Sequence, residues 1–108
     1  MVPSKTFVNN LELIYRFDNK KGAIVECGVW RGGMIAAISE IIGNDRKYYL
    51  FDSFEGLPEV KEIDGEAAKT WQQNTESKTY FDNCRTEEGF ANTAMKKAGT
   101  ANYETIKG

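Results

Sequence analysis

The sequence contains no histidine. That absence removes Ser-His-Asp and Cys-His catalysis and the common zinc ligand sets. A general base within these residues has to be a carboxylate, a lysine or a tyrosine. Cysteine is nearly as scarce. Cys27 and Cys84 are the two present, too few for a disulfide framework, so a reducing cytoplasmic setting is the simpler reading. Long apolar runs are missing too. Stretches such as Met34 to Ile38 fall far short of the roughly 18 residues of a membrane span. The Met-Val-Pro-Ser-Lys start has no apolar segment behind it and does not read as a secretory signal. Nor is there an excess of positive charge. Fourteen basic residues against sixteen acidic leave a net charge of −2, so neither nucleic acid nor a membrane is an expected partner.

What is present fits one globular domain. The 108 residues are 41% apolar and 28% charged, ordinary proportions for a folded chain. A chain of this size buries roughly two-thirds of its unfolded surface. Residues 4–17 read as a helix with Ser4 at its N-cap, because Phe7, Val8, Leu11, Ile14 and Tyr15 recur at helical spacing. A polar break over 18–22 precedes a short apolar run, Ala23 to Cys27, which reads as a strand covered on both faces. A glycine-rich turn, Gly28 to Gly33, leads into a second helical pattern carried by Met34, Ile35, Ala37, Ile38, Ile41 and Ile42 and stopped at Gly43. Lys47 to Asp52 reads as a second strand. Residues 58–83 are polar and weakly periodic and read as a long loop. A helix capped by Thr86, with Phe90, Ala94 and Met95 as its apolar face, ends at Gly99, and Tyr103 to Ile106 reads as a third strand.

The order α-β-α-β-loop-α-β is the N-terminal half of a doubly wound, mainly parallel α/β sheet with strands ordered 3-2-1, a Rossmann-like three-layer sandwich. Residues 1–22 form an N-terminal helix and linker, and residues 23–108 a partial domain. In such a half the first strand keeps one edge unpaired. That points to a truncated sequence or to one completed by a partner, a second copy included.

The first strand-to-helix turn carries the chemistry. Its spacing is Glu-x-Gly-x-x-x-Gly-Gly over Glu26, Gly28, Gly32 and Gly33, neither the dinucleotide fingerprint nor the P-loop. A carboxylate at Glu26 repels a pyrophosphate, an effect Arg31 offsets only in part, and attracts an ammonium or sulfonium instead. Asp52 ends the second strand, twenty-four residues after Gly28, where an acid meets ribose hydroxyls in βαβ nucleotide folds. Two acids with glycines between them suit an adenosine carrying a cationic tail, and S-adenosylmethionine (SAM) answers that description. Phe51, Phe54 or Leu57 would line its adenine.

Two stretches, Val25-Glu26-Cys27-Gly28-Val29-Trp30-Arg31-Gly32-Gly33 and Phe51-Asp52-Ser53-Phe54-Glu55-Gly56-Leu57-Pro58, resemble the macrocin O-methyltransferase (TylF-type) family. The resemblance extends from about residue 7 onward. It implies a SAM-dependent O-methyltransferase acting on a small-molecule acceptor, a sugar hydroxyl, with magnesium assisting. By that resemblance Glu26 and Gly28 meet the methionine end, Asp52 the ribose, and the segment from Ser53 to Pro58 flanks cofactor and substrate. Trp30, Arg31, Gly32, Gly33, Ser53 and Phe54 complete the cofactor-binding set. The family's metal ligands and base lie beyond the third strand, so no catalytic or metal residue is assigned within this chain.

Each assignment has an ordinary alternative. Glu26 can be a surface acid, Asp52 a turn cap, the glycines packing residues, Trp30 a core or oligomer contact, and Arg31 the partner of a carboxylate. Cys27 reads as a small buried residue. Trp71, Tyr80 and Phe81 read equally as a lid or as packing of the loop itself. Asp64, Glu66, Asp82, Glu87 and Glu88 read as solvated acids rather than as a metal site. Two other functions compete. One is a non-catalytic methyltransferase-like module that acts by association. The other, weaker one is a domain for a nicotinamide cofactor or a nucleotide sugar.

Overall fold

A computed structural model describes residues 2–17, 19, 21–78, 80 and 82–108. Helix α1 (Ser4–Arg16) lays Leu11 and Ile14 against helix α2 (Gly33–Ile42). Ser4 is not its cap. Pro3 holds the N-cap position, with φ −58°, and no side chain bonds the first turn. The proline ring presets that φ, and the Pro3 carbonyl accepts the first helical bond from the Phe7 amide at 2.9 Å.

Three strands, β1 (Ile24–Cys27), β2 (Tyr48–Asp52) and β3 (Tyr103–Lys107), form one sheet in the order β1-β2-β3. Both pairings are parallel, with Glu26 opposite Leu50 and Asp52 opposite Lys107. This is the parallel α/β arrangement and strand order that the sequence implies. Helix α2 and helix α4 (Glu88–Lys97) pack together over the sheet face that bears Tyr48 and Leu50. Ile35, Tyr48, Leu50, Ala91 and Met95 are completely buried there. Each large apolar side chain so buried contributes about 1.5–3 kcal/mol, which makes this layer the main source of cohesion. Its polar atoms are paired. Thr100 Oγ1 donates to Ser39 Oγ and Ser39 Oγ to the Ala36 carbonyl, each at 2.7 Å, and the Tyr48 hydroxyl donates to the Gly43 carbonyl at 2.6 Å.

The opposite sheet face departs from expectation. β1 is covered on one side only. Val25 is 56% exposed, Phe51 of β2 37%, and Cys27 is exposed rather than buried. Successive crossovers that advance in one direction place their helices on one face, and no described element lies on the other.

The 58–83 stretch is not a plain loop. It holds a 3₁₀ turn (Glu62–Asp64) and helix α3 (Gly65–Gln73). Glu66, Ala67, Ala68, Lys69, Gln72 and Gln73 are good helix formers. None of the residues of α3 is buried, so the helix lacks the apolar stripe that would announce it. Gln72 ties the helix to both ends of its own stretch. Gln72 Oε1 accepts from the Val60 amide, and Nε2 donates to the Pro58 carbonyl and to Asn83 Oδ1. Asn83 sits in a left-handed turn in which Asp82, Asn83 and Cys84 have φ of 45°, 52° and 62°. The rings of Trp71 and Tyr80 pack together at a 48° tilt, their centres 5.4 Å apart. Phe81, grouped with them above, lies outside the described residues.

Two expectations for α4 also fail. Thr86 does not cap it. Glu87 holds that position, and Thr86 Oγ1 is buried with no hydrogen-bond partner among the described residues. Phe90 is half exposed, and Ala91 fills the core in its place, one turn before Met95, which is buried as expected. Gly99, at φ 72°, does end the helix, with its amide on the Lys96 carbonyl.

Candidate functional site

The tips of β1 and β2 lie side by side. Cys27 is level with Phe51, and the Gly28 amide donates to the Phe51 carbonyl at 2.8 Å. Glu26 therefore precedes the tip by one residue and Asp52 follows it by one. Gly28, at φ 82°, turns the chain out of the sheet, a conformation glycine adopts without steric cost. The Gly32 amide returns to the Val29 carbonyl at 2.9 Å, and α2 begins at Gly33.

The Asp52 carboxylate spans two loops. Oδ2 accepts from the Trp30 amide in the turn after β1, and Oδ1 from the Phe54 amide after β2, each at 2.7 Å. Trp30 and Phe54 both have left-handed backbones, φ 50° and 58°, a conformation that costs an L-residue about 1–2 kcal/mol. A hydrogen bond to a charged group contributes about 1.5–3 kcal/mol, so the carboxylate outweighs the strain it holds. A carboxylate has about four acceptor sites, which leaves some open to a ligand.

Glu26 is half-buried and accepts the amide of Ile35 in the first turn of α2, where helix amides lack partners of their own. Its Oε2 is buried with no partner among the described residues. Burial is the main cause that raises its pKa from 4.5 to about 7. The Ile35 bond opposes the rise and the charge of Asp52 adds to it. The two acids therefore act electrostatically on one another, and the open oxygen of Glu26 calls for a cation or a hydrogen-bond donor.

The neighbouring residues divide by role. The Arg31 guanidinium lies 4.8 Å from the ring centre of Trp30 and 5.1 Å from that of Phe90, linking the turn to α4. A Cβ on Gly32 would stand 2.8 Å from Ala91 Cα, so that glycine serves helix packing. Gly28 and Gly33 face open space and leave bare backbone at the site. Ser53 Oγ accepts from the Glu55 amide at 3.2 Å. Of the three side chains expected around an adenine, Phe54 lines a hollow. Phe51 is on the open sheet face and Leu57 is half exposed.

That hollow measures about 1100 Å³ beyond the carboxyl ends of β2 and β3. Arg31, Phe54, Arg85, Thr86 and Lys107 stand among its walls. Glu26 and Asp52 are not in its lining. Arg85 and Lys107 escaped the sequence reading, and Thr86 entered it as a helix cap rather than as a lining residue. Lys107 had a signal, since ligand crevices in open α/β sheets lie outside the carboxyl ends of the strands. Arg85 and Thr86 are brought in by the left-handed turn before them, which no pattern announces. Among the described residues, no group of three or more histidine, cysteine, aspartate or glutamate side chains is disposed to hold a metal. Among the same residues, no helix is long and apolar enough to cross a membrane.

Comparison with known proteins agrees with this geometry. The family model described as macrocin-O-methyltransferase (TylF) matches residues 5–95. Demethyldecarbamoylnovobiocin O-methyltransferase of Streptomyces niveus is 43% identical over 49 residues, 42% of this chain. The matched stretch spans about a fifth of that relative's length, 19%.

Proposed function

The chain belongs to the macrocin-O-methyltransferase (TylF) family, and from that premise we propose that it provides the SAM-binding part of a cytoplasmic O-methyltransferase acting on a small-molecule acceptor. One observation carries the reading: the buried, unpartnered Oε2 of Glu26 beside a glycine turn, one strand away from Asp52. An anionic pyrophosphate finds no welcome beside two carboxylates, whereas an amino acid carrying a sulfonium does. When bound, SAM supplies an electrophilic methyl group.

The chain's own residues hold it. Glu26 meets the ammonium end, Gly28 and Gly33 give close access to backbone, the open acceptor sites of Asp52 take ribose hydroxyls, and Phe54 packs beside the base. Magnesium has no ligand set among the described residues, and no step here depends on it. A sugar hydroxyl as the methyl acceptor belongs to this proposal through family membership alone. The test is calorimetric titration with S-adenosylhomocysteine, against ADP as the anionic competitor. Saturable binding of the first in preference to the second is expected. Preference for ADP, or no binding by this chain and by a longer chain containing it, overturns the reading.

A second reading, a module acting by self-association, draws on the uncovered sheet face with Val25 and Phe51 exposed. Sedimentation showing only a monomer removes it.

A further inference from the structure

We propose that Asp52 is a positioning residue, whose carboxylate fixes the shape of both walls of the cofactor site before any ligand arrives. The ligand side of this inference rests on the cofactor reading above, and the structural side does not. The two amides that Asp52 holds belong to different loops, Trp30 after β1 and Phe54 after β2. Both are non-glycine residues in left-handed conformations, which persist only where the surroundings over-determine them. Each held residue commits a wall. Trp30 carries the ring beneath Arg31, which in turn reaches Phe90 on α4. Phe54, 6% exposed, joins the core beneath and lines the hollow at the ends of β2 and β3. Releasing the carboxylate lets both backbones relax toward ordinary φ, and the two walls shift together. A residue that met only the ribose would leave them in place.

Two measurements decide it. The first uses the ligand-free chain and follows amide hydrogen exchange at Trp30 and Phe54. In Asp52→Ala both amides exchange at least about tenfold faster. In Asp52→Asn the carboxamide oxygen still accepts one amide while its NH₂ opposes the other, so one of the two remains slow. Unchanged exchange at both amides in these variants overturns the proposal, and Asp52→Asn carries the test should Asp52→Ala fail to fold.

The second compares S-adenosylhomocysteine with its 3′-deoxy analogue. Positioning predicts that Asp52→Asn weakens the 3′-deoxy analogue too, by at least about threefold, and weakens S-adenosylhomocysteine by at least as much, since the ribose hydroxyl also meets Asp52. An analogue that binds the variant as well as it binds the parent shows a ribose contact alone, and overturns the proposal. If neither compound binds the parent chain, the functional reading fails, while amide exchange still decides the positioning role.

Discussion

Gly32 and Gly56 have nearly the same local geometry and opposite surroundings. Their φ values are 77° and 89°, and a Cβ would meet backbone at 2.8 Å in the first and 2.7 Å in the second. At Gly32 the obstacle is Ala91, completely buried in α4 at the centre of the core. At Gly56 it is the carbonyl of Asn83, in a left-handed turn at the root of a segment whose helix buries nothing. The strand-tip turn is thus clamped between two helices and two carboxylates. The 57–83 segment is braced within itself by side-chain hydrogen bonds from Gln72 and Asn83. Preorganisation of the site comes from what lies beneath the turn, and the glycines only permit it.

Alanine at each position breaks or sharpens this contrast. Gly32→Ala combines left-handed strain of about 1–2 kcal/mol with overpacking of about 1–3 kcal/mol. We expect a loss of about 3 kcal/mol in denaturant unfolding. Gly56→Ala carries the same strain and also meets backbone, but in a turn outside the core, and about 2 kcal/mol is expected. Equal losses would mean that the excursion is as firmly built as the core. A smaller effect follows from Gln72→Ala, which removes three hydrogen bonds at the surface. Global stability should fall by under about 1 kcal/mol, while protease cleavage within 57–73 accelerates several-fold. A global loss matching that of Gly56→Ala would place α3 in the cooperative unit.

The same contrast explains what could be read in advance. Strands and helices with large apolar side chains at regular spacing, such as Ile35 and Ile38 in α2 or Tyr48 and Leu50 in β2, carry their burial in the pattern, and the sheet order follows from the alternation of elements. Glu26 and Asp52 were legible because acids at the ends of apolar strands, beside glycines, are chemically conspicuous. Their backbone partners were not. That Asp52 holds the Trp30 and Phe54 amides depends on two left-handed residues that no propensity marks. Helix α3 leaves no apolar pattern because it packs so little of its surface. Phe90 stands a single residue of helical phase away from the core position, which Ala91 takes. The bare face of β1 was hidden because an apolar run predicts burial without saying which element provides it.

The gentlest way to probe the turn is a change of pH. The Glu26 carboxyl has its pKa raised from 4.5 to about 7 by burial first, and by the charge of Asp52 in addition. The folded state therefore binds the proton more tightly than the unfolded one. The stability it contributes is fully present below pH 4.5, declines as pH rises between 4.5 and about 7, and is gone above that. Glu26→Gln keeps an acceptor for the Ile35 amide and abolishes this titration. Its stability relative to the parent should therefore increase from acid to neutral pH and level off above about 7. Denaturant midpoints across that range read the difference directly. A parallel pair of curves would show that the Glu26 environment is no drier than that of an ordinary surface acid. The ligand adds an independent sign. A bound cation favours the ionised carboxylate, so the parent releases a proton on binding S-adenosylhomocysteine below pH 7, detectable as buffer-dependent heat. Glu26→Gln binds more weakly and without that dependence. Buffer-independent heat in the parent would place the ammonium away from Glu26, leaving the turn a packing device whose charge does no binding.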